Sequence, residues 1–140
     1  MGVRHRGREY ALQILFALDH NEKTDFYDIR KTFWQGTRAP AEVRAFAELL
    51  VGGMLENREQ IDDLIVRTSE NWRLDRMNGV DRNVLRMAAF ELLFLDDIPI
   101  SVTINEAVEI GKKFGSEESG AFINGILDRI AREFEGRKAV

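Results

Sequence analysis

The feature that most constrains the fold of this chain is the recurrence of apolar residues at helical spacing along most of its length. Only two prolines interrupt the pattern, and no segment alternates apolar and polar residues for long enough to predict a strand. One stripe near the C-terminus follows the i, i+3, i+4, i+7 spacing of a helix face and consists of Phe122, Ile123, Ile126, Leu127, Ile130 and Phe134. The spacing therefore predicts an all-α fold with about seven helices and no sheet.

Capping residues and glycines mark where the predicted helices begin and end. The second helix starts at Thr24 or Asp25 and stops at Gly36. The pair Gly52-Gly53 closes the third helix, and Ser116 caps the seventh. The fifth helix carries apolar residues on most faces, which predicts that it is the most buried element. The predicted ranges are about 4–20, 24–36, 40–53, 55–69, 80–95, 100–114 and 116–134.

Length and composition indicate a single domain, 1–140, with a sizeable hydrophobic core. The chain has 140 residues, of which 44% are hydrophobic. A linker, ENWRLDRMNG, divides it into two predicted helical sub-bundles, about 1–69 and 75–136. The absence of cysteine excludes disulfides and thiol nucleophiles. No apolar run approaches the roughly 20 residues of a membrane span, and no signal peptide is evident, so we expect a cytoplasmic protein without membrane contact.

The basic residues are concentrated at the start of a chain whose net charge is −4. The first eight residues include Arg4, Arg6 and Arg8 and no acidic residue. These arginines lie at the amino end of the first helix, where the helix dipole disfavours cations. Together with the free amide groups of the first turn they form a site for an anion such as a phosphate. Arginines that only solvate a frayed terminus are the alternative.

The first helix places an aromatic side chain on the face away from the core. At about 100° per residue, the predicted core face holds Ala11, Ile14, Leu15 and Leu18. Phe16 lies roughly opposite, in a stripe shared with Arg6, Glu9, Gln13 and His20. Exposed rings and neighbouring arginines are what stacking on single-stranded RNA requires. Phe16, Arg6 and Gln13 are therefore candidate RNA-binding residues, unless a loop or a dimer partner covers the ring.

No arrangement of side chains predicts a catalytic or metal site. Adjacent helical carboxylates diverge by about 100°, so they do not converge on one proton or metal ion. His5 and His20 stand fifteen residues apart with no third ligand. Phosphate-binding loops, dinucleotide fingerprints and nucleophile elbows do not occur. We expect no catalytic residues, no metal and no cofactor. A solvated face or a capping role explains the pairs Asp62-Asp63, Asp96-Asp97 and Glu117-Glu118.

Three blocks of sequence resemble the NusB family of transcription antitermination factors in order and spacing. The blocks are RHRGREYALQILFALD at the start, VDRNVLRMAAFELLF in the middle and INEAVEIGKKFGSEESGAFINGILDRI near the end. Together they cover about residues 3–134, and the last block is the most specific.

The resemblance implies an all-helical protein, not an enzyme, built from two packed helical subdomains. NusB proteins bind the boxA element of nascent RNA, usually as a heterodimer with NusE, a ribosomal small-subunit protein. The implied function is therefore to join the transcription elongation complex and to help RNA polymerase resist termination, notably on ribosomal RNA operons.

The resemblance also assigns RNA contacts to individual positions of this chain. Phe16 stands where the family can have tyrosine, and Asp81 where it can have glutamate, although Asp81 is also a candidate helix cap. Phe122 matches a region that adjoins the RNA and also begins the inner stripe of its helix. The implied contacts are Arg4, His5, Arg6, Arg8, Phe16, Asp81, Glu118 and Phe122.

Two other functions are compatible with parts of the pattern. A helical protein-interaction adaptor without RNA binding would use the basic patch to dock an acidic peptide or to form a homodimer. A NusB-like domain also precedes the catalytic domain of some RNA cytosine methyltransferases, but these 140 residues contain no nucleophilic cysteine and leave no room for a methyl-donor domain. The sequence leaves open whether the free protein forms a homodimer.

Overall fold

The computed structural model describes residues 2–21, 25–70 and 73–133, and in these it contains seven α-helices and no strand. This confirms the predicted all-α fold. A single 3-10 turn, Leu74–Arg76, precedes the fifth helix. The helices are α1 (Val3–Asp19), α2 (Phe26–Gln35), α3 (Ala41–Glu56), α4 (Arg58–Thr68), α5 (Gly79–Phe94), α6 (Ile100–Phe114) and α7 (Glu117–Glu133).

The fifth helix is the centre of the molecule, as its apolar pattern predicts. Every residue of α5 from Asn83 to Leu92 is buried, because α1, α3, α4, α6 and α7 all pack against this helix. Helix α1 also packs on α2 and α3, whereas α6 pairs with α7. Helix α4 contacts α3, α5 and α7. The division into two sub-bundles stays a prediction.

Side-chain caps fix several of the helix ends. Asp25 accepts a hydrogen bond from the backbone amide of Tyr27 at the start of α2, and Ser116 accepts one from the amide of Ser119 at the start of α7. Both caps agree with the sequence prediction, while Thr24 and Phe134 lie outside the described residues. At the start of α5 the cap is Asn78.

Asn78 takes the capping role for which Asp81 is a candidate in the sequence. Its Oδ1 atom accepts a hydrogen bond of 2.8 Å from the Asp81 amide, and its Nδ2 atom donates one of 3.1 Å to Asp81 Oδ2. The pair therefore works as a reciprocal capping arrangement with the cap three residues before the acid. Asp81 orients the cap rather than being the cap.

The predicted end of α3 at Gly52-Gly53 is wrong, because the helix continues through both glycines to Glu56. A Cβ atom at Gly53 would lie 2.1 Å from Phe90 Cζ, so the glycine allows α3 and α5 to approach closely. Asn57 then ends α3 and starts α4, and its Nδ2 atom donates a 2.8 Å hydrogen bond to the Gly53 carbonyl. Here the glycine serves packing rather than helix termination.

The two glycines of α3 provide a matched pair of substitutions. Gly53→Ala should lower the free energy of unfolding by about 1–3 kcal/mol, because the new methyl group overpacks the Phe90 ring. Gly52→Ala meets no atom within 4 Å and should raise it by up to about 1 kcal/mol through helix propensity. Urea denaturation of both variants measures the difference, and equal effects would contradict the close α3–α5 contact.

Candidate nucleic-acid interface

Helix α1 is fixed to the core by a buried ion pair. Arg8 donates hydrogen bonds of 2.9 and 2.8 Å to the two carboxylate oxygens of Glu91 in α5. The two side chains are only 2% and 1% exposed. Thr103 of α6 donates a further hydrogen bond of 3.1 Å to Glu91. The carboxylate thus joins α1, α5 and α6 in one buried polar cluster.

The prediction that Arg8 contacts RNA is therefore wrong. Its guanidinium is buried and held by a carboxylate, so no phosphate reaches it. The helical wheel contains the signal for this position: Arg8 stands three residues before Ala11 and seven before Leu15, on the core face of α1. A cation in such a stripe indicates a buried acidic partner elsewhere in the chain.

Two residues of the first turn of α1, Arg4 and His5, make contacts within the protein. Arg4 is half exposed and donates a 2.7 Å hydrogen bond to Asp97 in the loop between α5 and α6. The side chain of His5 is 15% exposed, with Nδ1 2.6 Å from Glu106 and Nε2 3.2 Å from Glu9. His5 is thus largely covered, and its predicted contact with a phosphate is not supported, whereas Arg4 remains accessible.

The outward face of α1, which we call the α1 stripe (Arg6, Glu9, Gln13, Phe16 and His20), agrees in part with the sequence prediction. The Phe16 side chain is 39% exposed, which confirms that its ring faces away from the core. Gln13 is exposed, and its amide donates to the Glu9 carbonyl one turn earlier. Arg6 is partly exposed and has no carboxylate partner among the described residues.

Phe16 and His20 form a pair of stacked rings at the end of the α1 stripe. Their centroids are 4.2 Å apart and their planes differ by 24°. A Cβ atom at Gly79, the first residue of α5, would lie 2.7 Å from Phe16 Cε2 and 2.8 Å from His20 Cε1. The glycine therefore makes room for both ring edges against the start of α5.

Helix α6 brings Lys113 to the α1 stripe, with Phe114 next to it, and the predicted site residues include neither. Lys113 donates a 2.8 Å hydrogen bond to Glu9, and its side chain is still 59% exposed. Its Nζ atom also lies 5.5 Å from the ring centroid of Phe114, which is 38% exposed. The sequence KKF before Gly115 contains this signal, but a lysine is also common at a helix C-terminus, so the motif alone does not distinguish the two roles.

Three of the predicted site residues meet in one cleft between the start of α5 and the start of α7, the α5–α7 cleft. It is an open cleft of about 290 Å³, and its lining includes Asp81, Glu118 and Phe122. Asn78 also lines it and precedes Gly79, so the cleft adjoins the stacked rings of α1. Phe122 is half-buried and also packs against the core, which reconciles its two predicted roles.

The α5–α7 cleft is lined by both acceptors and donors, because the carboxylates of Asp81 and Glu118 and the exposed cation of Arg76 all border it. Asp81 is 7% exposed, and its buried Oδ1 atom has no hydrogen-bond donor within the described part of the chain. A buried acceptor without a donor is costly, so a ligand that donates a hydrogen bond would be stabilised there. Glu118 is exposed at the same cleft. The two carboxylates favour amino or hydroxyl groups of a ligand, and Arg76 offers a cation beside them.

A second polar cluster fixes the far end of α1 and the segment that lines the cleft. Asp19 accepts hydrogen bonds of 2.7 Å from Arg82 and 3.1 Å from Asn83. Arg82 also donates to the carbonyls of Leu74 and Met77. The Arg82 side chain therefore ties α1, α5 and the 74–77 segment together next to the stacked rings.

Arg86 extends the same cluster to α4. It is 4% exposed and donates hydrogen bonds of 2.8 and 3.1 Å to the carboxylate of Asp62. Asp62 therefore pairs with a buried arginine, and its predicted place on a solvated face is wrong.

The cluster also lowers the pKa of Asp19. Burial alone would raise this pKa. The hydrogen bonds from Arg82 and Asn83 and the charges of Arg82 and Arg86 outweigh burial and lower the pKa below 3.8.

Replacing Arg8 or Arg4 by alanine tests which ion pair holds α1 in place. Arg8→Ala should lower the free energy of unfolding by about 3–5 kcal/mol, because it leaves the buried Glu91 carboxylate without its cation. Arg4→Ala removes an exposed pair and should cost less than about 1 kcal/mol. Thermal and urea denaturation check both values. A mild effect of Arg8→Ala would show that the pair is not the anchor of α1.

The lowered pKa of Asp19 gives stability a specific pH dependence. Asp19→Asn should cost about 1–3 kcal/mol at neutral pH, since both arginines lose their carboxylate. A carboxylate with a depressed folded-state pKa stabilises the fold fully above its ordinary pKa of 3.8 and loses that contribution as the pH falls through the lower value. Urea denaturation from neutral to strongly acidic pH should show the two chains converging in acid. A constant gap would contradict the assignment.

The described residues give no sign of two other kinds of site. They include no group of three or more His, Cys, Asp or Glu side chains that could hold a metal ion. None of the helices in this part of the chain combines the length and the apolar character that crossing a membrane requires.

Known proteins are similar to this chain in both sequence and architecture. A NusB family model matches residues 5–132. The transcription antitermination proteins NusB of Trichlorobacter lovleyi and Geobacter sulfurreducens are 51% and 50% identical, over 93% and 94% of this chain and 91% and 95% of theirs. A NusB structure from T. maritima is 45% identical with a TM-score of 0.83, over 93% of this chain and 91% of that one.

One further solved structure is described as antitermination factors NusB and NusE in complex with double-stranded RNA. A chain of that assembly is 26% identical to this protein with a TM-score of 0.83, over 95% of this chain and 98% of that one. The family model, the identities over nearly the full length and the shared helical architecture agree with one another. The chain belongs to the NusB family.

Proposed function

We propose that this chain is a transcription antitermination factor that binds boxA-type single-stranded RNA together with NusE. The observation that carries the proposal is the exposed ring of Phe16 in the α1 stripe, with the accessible cations of Arg6 and Lys113 on the same side of the molecule. Rings that bases can stack on, beside cations that meet phosphates, are the two elements that single-stranded RNA requires.

The α1 stripe with its α6 neighbours and the α5–α7 cleft bind different chemical groups of the RNA. Bases stack on Phe16 and on Phe114, both more than one-third exposed. Arg4, Arg6 and Lys113 meet the phosphates. In the α5–α7 cleft, the carboxylates of Asp81 and Glu118 accept hydrogen bonds from base amino groups or 2′-hydroxyls, which phosphates cannot provide. The two carboxylates of the cleft thus add discrimination between bases, and the cations of the surface add affinity.

The relatives support the rest of the proposal. The curated relatives are named transcription antitermination proteins, and a structural neighbour joins NusB, NusE and RNA in one assembly. By the same role, this chain acts within the transcription elongation complex with RNA polymerase, and not as an enzyme. Its place of action is the cytoplasm, where bacterial RNA is transcribed. NusE extends the binding surface, so the pair holds RNA more tightly than either protein alone.

The proposal is tested by titrating a fluorescent boxA-like RNA with the protein, with and without NusE, beside a scrambled RNA of the same length. We expect tighter binding to the boxA-like RNA and a further gain with NusE. Equal, weak binding to both RNAs, with NusE binding intact, would instead identify a helical protein-interaction adaptor. A double-stranded RNA serves as the third probe, because exposed rings favour unpaired bases.

Phe16 is the side chain with the largest expected effect on affinity. Phe16→Ala should weaken binding by about 1–3 kcal/mol, the value of one lost base stack, without loss of helicity. Tyr27→Ala is the matched control, because Tyr27 is 64% exposed on α2, outside the α1 stripe and the α5–α7 cleft. Fluorescence titration and circular dichroism measure the two quantities. Equal losses for both variants would remove the special role of Phe16.

Arg6 should contribute through charge rather than through sequence recognition. Arg6→Ala is expected to weaken binding to the boxA-like and the scrambled RNA by the same factor. It should also flatten the slope of log affinity against log salt by roughly 0.7, the value for one phosphate contact on a single strand. Repeating the titration at four salt concentrations gives the slope. An unchanged slope would mean that Arg6 does not contact a phosphate.

A further inference from the structure

We propose that His20 is a further RNA-binding residue, whose ring extends the Phe16 stack and whose protonated form supplies a cation to the adjacent phosphate. The inference rests on the proposed function, because it adds a residue to the same RNA-binding surface. It predicts that RNA affinity increases as the pH falls, which the arginines and Lys113 of this surface cannot produce.

The His20 ring stacks on one face of Phe16. The centroids are 4.2 Å apart and the planes differ by 24°, so the imidazole continues the aromatic stack from that face. Gly79 contacts the edges of both rings. Both side chains are exposed. A base that extends this stack therefore lies within reach of the imidazole.

The hydrogen bonds of His20 determine which nitrogen faces the RNA. Nδ1 lies 2.9 Å from the Phe16 carbonyl oxygen, which can only accept a hydrogen bond. Nδ1 therefore donates to this carbonyl, and Nε2 is the nitrogen that remains available to a ligand. When Nε2 is protonated, the ring becomes a cation that donates from both nitrogens, and the bond that fixes its orientation is kept.

The charges around His20 come from α1 and α5. His20 caps the C-terminus of α1, where the helix dipole stabilises a positive charge. Asp19, its acidic neighbour on α1, is engaged by Arg82, Asn83 and Arg86. Helix α5 packs against the ring through Gly79. The first two charged side chains after Gly79 are Asp81, which lines the cleft, and Arg82, which pairs with Asp19.

The test compares affinity for the boxA-like RNA at about pH 8 and about pH 5.5, at constant ionic strength, because histidines change charge in this interval. The unmodified chain should bind roughly two- to fivefold more tightly at the lower pH, the effect of one exposed ion pair. His20→Phe keeps a stacked ring that cannot be protonated. Its affinity for the RNA should be the same at both pH values.

His5→Gln identifies the source of any pH effect, because His5 is the second of the two histidines in the chain. The gain at low pH should persist in this variant, whatever its absolute affinity. A gain that survives His20→Phe, or an affinity of the unmodified chain that is the same at both pH values, would overturn the role of His20. Failure of the unmodified chain to bind the RNA at either pH would refute the proposed function itself.

A measurement on the unmodified chain keeps the proposal testable if His20→Phe does not fold. The imidazole carbon-bound protons of His20 should shift in NMR spectra when the boxA-like RNA is added, and an equal amount of scrambled RNA should shift them less. Resonances of His20 that stay in place while those of Phe16 move would show that the imidazole lies outside the bound RNA.

Discussion

The buried ion pair between Arg8 and Glu91 determines which face of α1 is available to a ligand. A charge with almost no exposure is tolerated only when a partner and further hydrogen bonds compensate it, and Glu91 receives these from Arg8 and Thr103. Because the pair is possible in only one rotation of α1, it fixes which side of that helix faces the core. The opposite side, with Arg6 and Phe16, is thereby held toward solvent.

A second cluster at the other end of α1 completes this orientation. The Asp19 carboxylate, with Arg82 and Arg86, joins α1 to α5 and, through Asp62, to α4. The same Arg82 holds the 74–77 segment that leads into the α5–α7 cleft. The two polar clusters thus hold both ends of α1, and the stacked rings and the cleft keep a constant relation to each other. A surface that is preorganised in this way loses little entropy when RNA binds.

The sequence predicts local features well and contacts between distant elements poorly. Helical spacing correctly predicts the seven helices of the described residues, the central position of α5 and the exposure of Phe16, because each depends on neighbours within a few turns. Gly53 misleads, since its role is set by Phe90 in another helix. Arg8 misleads for the same reason, because its partner Glu91 is 83 residues away. The contribution of Lys113 likewise depends on Glu9 across the bundle.

The candidate RNA-binding site likewise combines features that the sequence predicts with features that depend on contacts between distant helices. The cleft residues Asp81, Glu118 and Phe122 come together because α5 and α7 begin side by side, a juxtaposition that family resemblance suggests but that no spacing in the chain determines. Their contacts with RNA remain predictions. The surface nevertheless has a definite chemical order, with rings and cations along α1 and α6, and two carboxylates beside Arg76 where α5 and α7 meet.

The most direct test is an NMR titration of the amide-labelled protein with the boxA-like RNA. If α1 is held with its outward stripe toward the ligand, the amides of residues 13–20, 76–81 and 113–122 should shift first and saturate together. The amide resonances of α2 and of the exposed residues of α3 should not shift. Shifts concentrated in α2 and α3, with the α1 stripe and the α5–α7 cleft unchanged, would contradict the account.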